Sequence, residues 1–286
     1  MSEKGKSFLR FWLKLFILIF IFLLGFGLAK RTIEGGISKN TIGVCEIKGI
    51  IKSAQPTLKH LVKFKKNKNI KAIILRIDSP GGAVGPSQEI YLEVMKLRKK
   101  KPVVASLGTI ATSGGYYIAS AANKIVAVPG TLTGSIGVKM EFANVRKLLE
   151  KLGIEPEVIK SGPYKDIGSP VREMTEEERT LLKRLVKNVH QQFIEAIAKG
   201  RNLPLERIKA LADGSVFTGE EAKKLGLIDE LGNFEDAIRL AAKLAGIKGE
   251  PKIYYPKEKS RLAKLFESLA QTFWENMYDI KFHYRW

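Results

Sequence analysis

Short, nearly uncharged runs of aliphatic residues recur along the middle of the chain, separated by stretches of helical periodicity. This alternation restricts the fold more than any other feature. The runs are TIGVCEI (41–47), AIILRI (72–77), VVASL (103–107), KIVAV (124–128) and EVI (157–159). Helical spacing covers 57–64, 86–98, 114–122, 142–152 and 175–199, then 204–212, 219–225 and 234–245. A strand such as AIILRI has no polar face to offer water, so it must be covered on both sides, as strands of parallel sheets are. The intervening helices supply the crossovers that parallel pairing needs. The expected class is therefore α/β with a mainly parallel sheet, and 286 residues suffice for one sizeable core.

The two ends differ from this middle. Residues 11–29 read FWLKLFILIFIFLLGFGLA, with Lys14 the single charge. As a helix this segment would span about 28 Å, close to the thickness of a bilayer core. Residues 1–31 are thus expected to form a cytoplasmic stub and one transmembrane anchor. Lys4, Lys6, Arg10 and Lys14 precede or enter the run, against Lys30 and Arg31 after it. That bias favours a cytoplasmic N-terminus and an extracytoplasmic remainder in a single-pass cell-membrane protein. A cleaved signal peptide, with Gly27-Leu28-Ala29 as its small-residue site, is the alternative. Residues 32–40 read as a polar linker and 41–248 as the main domain. Residues 249–286 form a tail with Leu262, Leu265, Phe266, Leu269, Phe273 and Met277 at helical spacing. Its apolar face suits packing against protein, or lying on a membrane surface.

Composition excludes several chemistries. The single cysteine, Cys45, allows neither an internal disulfide nor a cysteine zinc site. Three histidines stand far apart, and no H-E-x-x-H occurs. Lys and Arg number 49 against 29 Asp and Glu, a net charge of +20. The lysines are spread along the chain without a nucleic-acid-binding signature, so the sequence calls for no nucleic acid partner.

Three small-residue segments follow apolar runs: Asp78-Ser79-Pro80-Gly81-Gly82, Ala111-Thr112-Ser113-Gly114-Gly115 and Thr133-Gly134-Ser135-Ile136-Gly137. Ligands of open α/β sheets bind beyond the carboxyl ends of strands. Glycines there let backbone N–H groups converge on one anionic atom, a phosphate or the oxyanion of an acyl transfer. The phosphate fingerprints G-x-x-x-x-G-K-[ST] and strand-linked G-x-G-x-x-G are missing. Ser113 opens a helix, where the positive end of the backbone dipole favours an alkoxide and Gly114 can offer its N–H. A plain helix cap is the plainer role for such a serine. His190 falls within a long helix and His283 in the tail, so neither looks like a loop-borne base. A lysine can replace histidine, provided its surroundings keep it neutral. The segment KSGPYKDIGSP (160–170), stiffened by two Gly and two Pro, would fix Lys165 on a loop, although composition alone does not single it out.

The stretches DSPGGAVGPSQEI, SLGTIATSGGYYIASAANKIVAVPGTLTGSIGV and IKSGPYKDIGSP together resemble the short, single-repeat form of the signal peptide peptidase (protease IV) family. These are membrane-anchored Ser-Lys peptidases of the Clp protease/crotonase fold, built of repeated ββα/βα units. The resemblance runs from about Ile42 to Ile247. It implies a serine endopeptidase acting on signal peptides and other membrane-associated or unfolded peptides, with no cofactor and no metal. Ser113 would be the nucleophile and Lys165 the general base. Gly81 and Gly114 would supply the oxyanion-hole amides, and Ser135 would orient the lysine. In short-form members the serine and lysine come from neighbouring subunits of a ring, which implies a homo-oligomer. Two rival readings are a non-catalytic membrane-anchored scaffold of the same fold and a crotonase-like acyl-CoA enzyme. The acyl-CoA enzyme would want a carboxylate pair that cannot be placed here.

Overall fold

The computed structural model describes residues 38–256, together with residues 16, 17, 20 and 21. Apart from those four positions, the expected anchor lies outside the described residues. So do most of the linker and the amphipathic tail beyond 256. Among the described residues no helix is long and apolar enough to cross a membrane. One compact unit ends at Tyr254, and residues 255–286 form a second.

The first unit is built on an eight-stranded sheet. Its strands are β1 (Thr41–Lys48), β2 (Ile70–Ser79), β3 (Val103–Thr112), β4 (Lys124–Ala127), β5 (Leu132–Gly134), β6 (Val216–Thr218), β7 (Glu230–Leu231) and β8 (Lys252–Tyr254). The main order is β6-β5-β3-β2-β1-β8, with β4 joined to β3 and β7 to β4. Every pairing is parallel except β5 with β6. The helices are α1 (Gln55–Lys66), α2 (Val84–Leu97), α3 (Gly114–Ser120), α4 (Arg146–Lys151), α5 (Glu176–Arg201), α6 (Leu205–Ala210), α7 (Gly219–Lys224) and α8 (Phe234–Leu244).

Both faces of the sheet are covered, as the apolar runs require. Ile73, Leu75 and Ile77 point into one core with Leu61, Phe64, Val94, Tyr116 and Ile197, from α1, α2, α3 and α5. The alternate residues Ile42, Val44, Ala72 and Ile74 meet Ala237, Ile238 and Ala241 of α8 on the other face. The period-2 alternation of a strand therefore feeds two layers at once. Helix ends carry their expected signals. Thr175 and Glu178 form a capping box on α5, and Asn202 closes that helix at φ 53°.

A bulge in β3 sets up the site. Register with β2 slips between the pairs Ile77–Leu107 and Ser79–Ala111. Asp78 fills the gap: its Oδ1 accepts from the Ile110 amide at 3.2 Å, and a Cβ on Gly108 would lie 2.7 Å from its Cγ. Below the bulge β3 pairs with β4, and above it with β5. Such an insertion bends a strand and re-aims the residues beyond it, here Ser113.

Several local expectations change. The run 157–159 is not a strand: 154–160 is irregular, and Ile159 is 94% exposed. Among the described residues no strand pairs with it. The helix expected over 142–152 is reduced to α4. The sheet continues past 248, because Lys252, Ile253 and Tyr254 pair with Thr41, Ile42 and Gly43. The main domain therefore runs to Tyr254, six residues beyond the expected boundary at 248.

Candidate active site

The carboxyl ends of β2, β3 and β5 converge, bringing the three glycine segments together. Ser79 Oγ donates to the Gly49 carbonyl at 2.6 Å and accepts from the Gly81 amide at 3.1 Å. Gly81 adopts φ +97°, and a Cβ there would lie 2.7 Å from the Gly114 nitrogen and 2.9 Å from Ser113 Cβ. Only glycine tolerates both that conformation and that approach. At Gly82 a Cβ would lie 2.3 Å from the Ile51 carbonyl oxygen. The Ile51 amide donates to the Gly81 carbonyl at 2.9 Å, and the Ala83 amide donates to the Ile51 carbonyl at 2.8 Å. In a parallel bridge of this pattern the central residue, Gly82, turns its own N–H away from Ile51. Gly114 lies close by: a Cβ on it would come within 3.3 Å of the Gly82 nitrogen.

Ser113 follows β3 and takes the N-cap position of α3, with φ 51° and ψ −122°. A non-glycine residue there is strained. Two hydrogen bonds hold it: the Ser113 amide donates to the Gly134 carbonyl at 2.9 Å, and its carbonyl accepts from the Tyr117 amide at 2.8 Å. Ser135 is also held at positive φ, 50°, with its amide donating to the Ser215 carbonyl at 2.7 Å.

Ser113, Gly114, Gly82 and Ser135 line one cleft of about 530 Å³. Val84, Tyr117, Val138, Val189 and Phe193 form its apolar wall, and Lys139 and Asp213 stand at its rim. That volume and that mix of an apolar wall with a few convergent polar groups suit a ligand site. Gly81 is not among the lining residues. Its amide is spent on Ser79 Oγ, so the N–H that converges with Gly114 belongs to Gly82, the second glycine of SPGG.

Lys165 lies elsewhere. It is exposed and does not line the cleft; its amide donates to the Gly162 carbonyl at 3.2 Å. The structure thus brings together Ser113, Gly114, Gly81 and Ser135, but not Lys165, within one chain. The lysine that does stand at the cleft, Lys139, pairs with Glu141 at 2.8 Å, which raises its pKa and favours the charged form.

The loop carrying Lys165 is anchored by charges that the sequence reading missed. Asp166 accepts from Lys160 Nζ at 2.7 Å and from Arg172 Nε at 2.7 Å. Arg172 also grips Glu178 of α5, with Nη1 donating to Oε2 at 2.8 Å and Nη2 in contact with Oε1. The Arg172 guanidinium, with Lys160 behind it, holds the Asp166 carboxyl well below the usual carboxylate range. The same guanidinium, with the Thr175 amide, lowers Glu178 to about 2. The only sequence hint was the capping-box spacing of Thr175 and Glu178.

Comparison with known proteins now decides the family. Residues 95–248 match Peptidase family S49. A Synechocystis sp. protein designated a protease is 48% identical over 212 residues, covering 73% of this chain and 76% of the relative. The chain belongs to Peptidase family S49. Among its relatives, Protease 4 of Salmonella typhi is 39% identical over 202 residues, covering 70% of this chain and 32% of that longer protein. A protein of Enterococcus faecium designated a signal peptide peptidase is 36% identical over 225 residues, covering 74% of this chain and 65% of that one. The fold is shared with a mutant of the 1510-N membrane-bound stomatin-specific protease, at a TM-score of 0.55 and 18% identity, covering 78% of this chain and all of that one. This S49 chain is a peptidase, and peptides are its substrates.

Proposed function

We propose that this S49 peptidase is a membrane-anchored serine endopeptidase in which Ser113 is the nucleophile and Lys165 the general base. The observation that carries the reading is the strained Ser113, in a cleft with an apolar wall that Gly82 and Gly114 also line. Ser113 Oγ attacks the scissile carbonyl carbon while the neutral amine of Lys165 takes its proton. The carbonyl oxygen, now an anion, accepts hydrogen bonds from the Gly82 and Gly114 amides. Collapse expels the amine of the downstream peptide, which takes the proton back from Lys165. Water, activated by the same lysine, then releases the acyl group from Ser113. Ser135 is assigned to hold the lysine amine in line. Gly82 replaces Gly81 as the second oxyanion donor, because the Gly81 amide is already engaged.

Lys165 reaches Ser113 from a neighbouring copy in a homo-oligomeric ring. Its exposure in the single chain supports this, as do the bare apolar residues of the same arm: Leu148 is 57% exposed, Leu152 63% and Ile159 94%. Enclosure between copies would also strip water from the amine and favour its neutral form. The apolar cleft favours extended apolar peptides, including cleaved signal peptides. The anchor in 1–31 would place the chain in the cell membrane with the catalytic unit on the extracytoplasmic side.

The experiment is labelling with a serine-directed acylating probe and mapping the adduct. Modification of Ser113 is expected, and modification of any other serine overturns the assignment. Ser113→Ala and Lys165→Ala should each abolish cleavage of an unstructured peptide without unfolding the chain. Mixing these two inactive variants should restore part of the activity if the pair is formed between copies. No recovery would assign the site to a single chain.

A further inference from the structure

The opposite end of the sheet carries a different feature. In a parallel sheet the segments preceding the strands gather at one end. Three such segments here are strongly basic. KFKKNKNIK (63–71) leads into β2, KLRKKK (96–101) into β3, and KLAGIKGEPK (243–252) into β8. Together they hold thirteen Lys or Arg against one acid, Glu250. Direct contacts knit them into one surface. Lys101 Nζ donates to the Phe64 and Asn67 carbonyls, each at 2.6 Å. A shallow depression is lined by Arg98, Lys99, Lys100, Lys101 and Leu244. Lys252 pairs in register with Thr41 of β1, whose amide donates to the Asn69 carbonyl at 3.1 Å.

Lysines at helix C-termini are ordinary, since they complement the backbone dipole, and Lys63, Lys65 and Lys66 do so on α1. The surface goes beyond that. Lys68, Lys71, Lys99 and Lys100 lie outside the helices and are exposed. Lys101 has a lowered pKa, from burial and then from the charge of Lys71. Crowded cations of this kind raise the energy of the free protein and are relieved by an anionic partner.

We propose that this basic face docks on anionic lipid headgroups, holding the peptidase unit with its Ser113 cleft turned away from the bilayer. Chain geometry selects the lipid. The apolar segment ends at Ala29, and Ser38 begins the described unit at the same end of the sheet as the basic face. Eight intervening residues reach at most about 29 Å. A chain anchored through residues 11–29 therefore keeps this face, and not the opposite one, next to the headgroups. The strand direction then sets the orientation of the cleft, because Ser113 follows the carboxyl end of β3. The tether argument rests on the anchored reading, whereas the charge argument does not.

The test uses the full chain with one added cysteine carrying an environment-sensitive dye. Native Cys45 is buried, with its thiol pushed up to about 12, and does not compete for label. Leu244→Cys reports the basic face, and Ile50→Cys reports the carboxyl end of β1. Vesicles contain a lipid-borne quencher in phosphatidylcholine alone or with phosphatidylglycerol added. Dye at 244 should be quenched on the anionic vesicles and released at about 1 M salt, where the screening length falls to about 3 Å. Dye at 50 should not respond. Reversing four charges (Lys66→Glu, Lys68→Glu, Lys99→Glu, Lys100→Glu) should raise the phosphatidylglycerol needed for half-quenching at least about tenfold. The neutral Lys→Gln set should give a smaller shift in the same direction, and peptide cleavage confirms that either set has folded. Equal quenching at 244 and 50, or none that depends on phosphatidylglycerol, overturns the proposal. So does a response at 244 to a single-stranded RNA but not to anionic vesicles. Co-flotation with phosphatidylcholine vesicles reads the anchor separately. A chain that fails to float there yet shows salt-sensitive quenching at 244 supports the basic face and rejects the anchor.

Discussion

Gly114 meets the side chain of Ser87 first: a Cβ there would lie 2.5 Å from Ser87 Oγ, which itself donates to the Ala83 carbonyl at 2.9 Å, and 3.3 Å from the Gly82 nitrogen. Gly114→Ala should therefore displace Ser87 and skew the two amides, lowering kcat by about 10²-fold, a usual cost of disturbing an oxyanion donor. Adding Ser87→Gly removes the obstructing hydroxyl and should recover part of that loss, read as kcat on the same peptide. Gly82 offers no such relief, because its neighbour is the Ile51 carbonyl. The sequence reading named Gly81, the first glycine of SPGG, and passed over Gly82, which lines the cleft. The Gly81 amide donates to the Ser79 hydroxyl only two residues back, a local turn that the residue types permit but do not dictate. Ser113 drew notice as a serine before two glycines at a strand-to-helix junction, although a plain helix cap is the commoner use of such a residue.

At the scale of elements, the charged clamp between the 160–170 loop and α5 should show in acid. Glu178 drops from an ordinary value of 4.5 to about 2 on folding, so its contribution is complete above about 4.5 and disappears as pH falls toward 2. Arg172→Met should lower Tm at pH 7 and flatten the fall in Tm between pH 4.5 and 2, measured by thermal melts across that range. Arg172→Lys should recover less than full stability, since one ammonium cannot bridge Asp166 and Glu178 as the guanidinium fork does. Within the sheet, Ile74→Ala should cost about 2–5 kcal/mol by denaturant unfolding, because Ile74 is fully buried against α8. The long apolar strands β1, β2 and β3 were plain in the sequence. Strands β5 to β8 were not, since two or three residues carry no periodicity and are defined only by the partner they meet. The apolar triplet 157–159 misled for the complementary reason: its composition is that of a strand, but among the described residues no strand pairs with it.

The whole molecule leaves its 139–165 arm poorly covered, and this is where assembly should be tested. Ile159→Asp should reduce the assembled mass in light scattering and remove peptide cleavage together, while the Tm of the single chain stays nearly unchanged. Retained mass with full cleavage would assign Ile159 no part in the contact. Composition did not mark Ile159 as a contact candidate, because a surface isoleucine becomes informative only once the fold leaves it 94% exposed. Helix α5 joins the two halves of this picture. Val189 and Phe193 wall the cleft of its own chain, and Glu178 near its start grips the loop that carries Lys165. Eleven residues separate Glu178 from Val189, about 16 Å along one rigid rod. In a ring where each lysine serves the next serine, that rod makes every subunit a strut between two successive catalytic centres. A substrate pressing on one wall then adjusts the base delivered next door. Saturation curves of the assembled peptidase should accordingly depart from a simple hyperbola, and Arg172→Met, by loosening the strut, should bring the Hill coefficient back toward one.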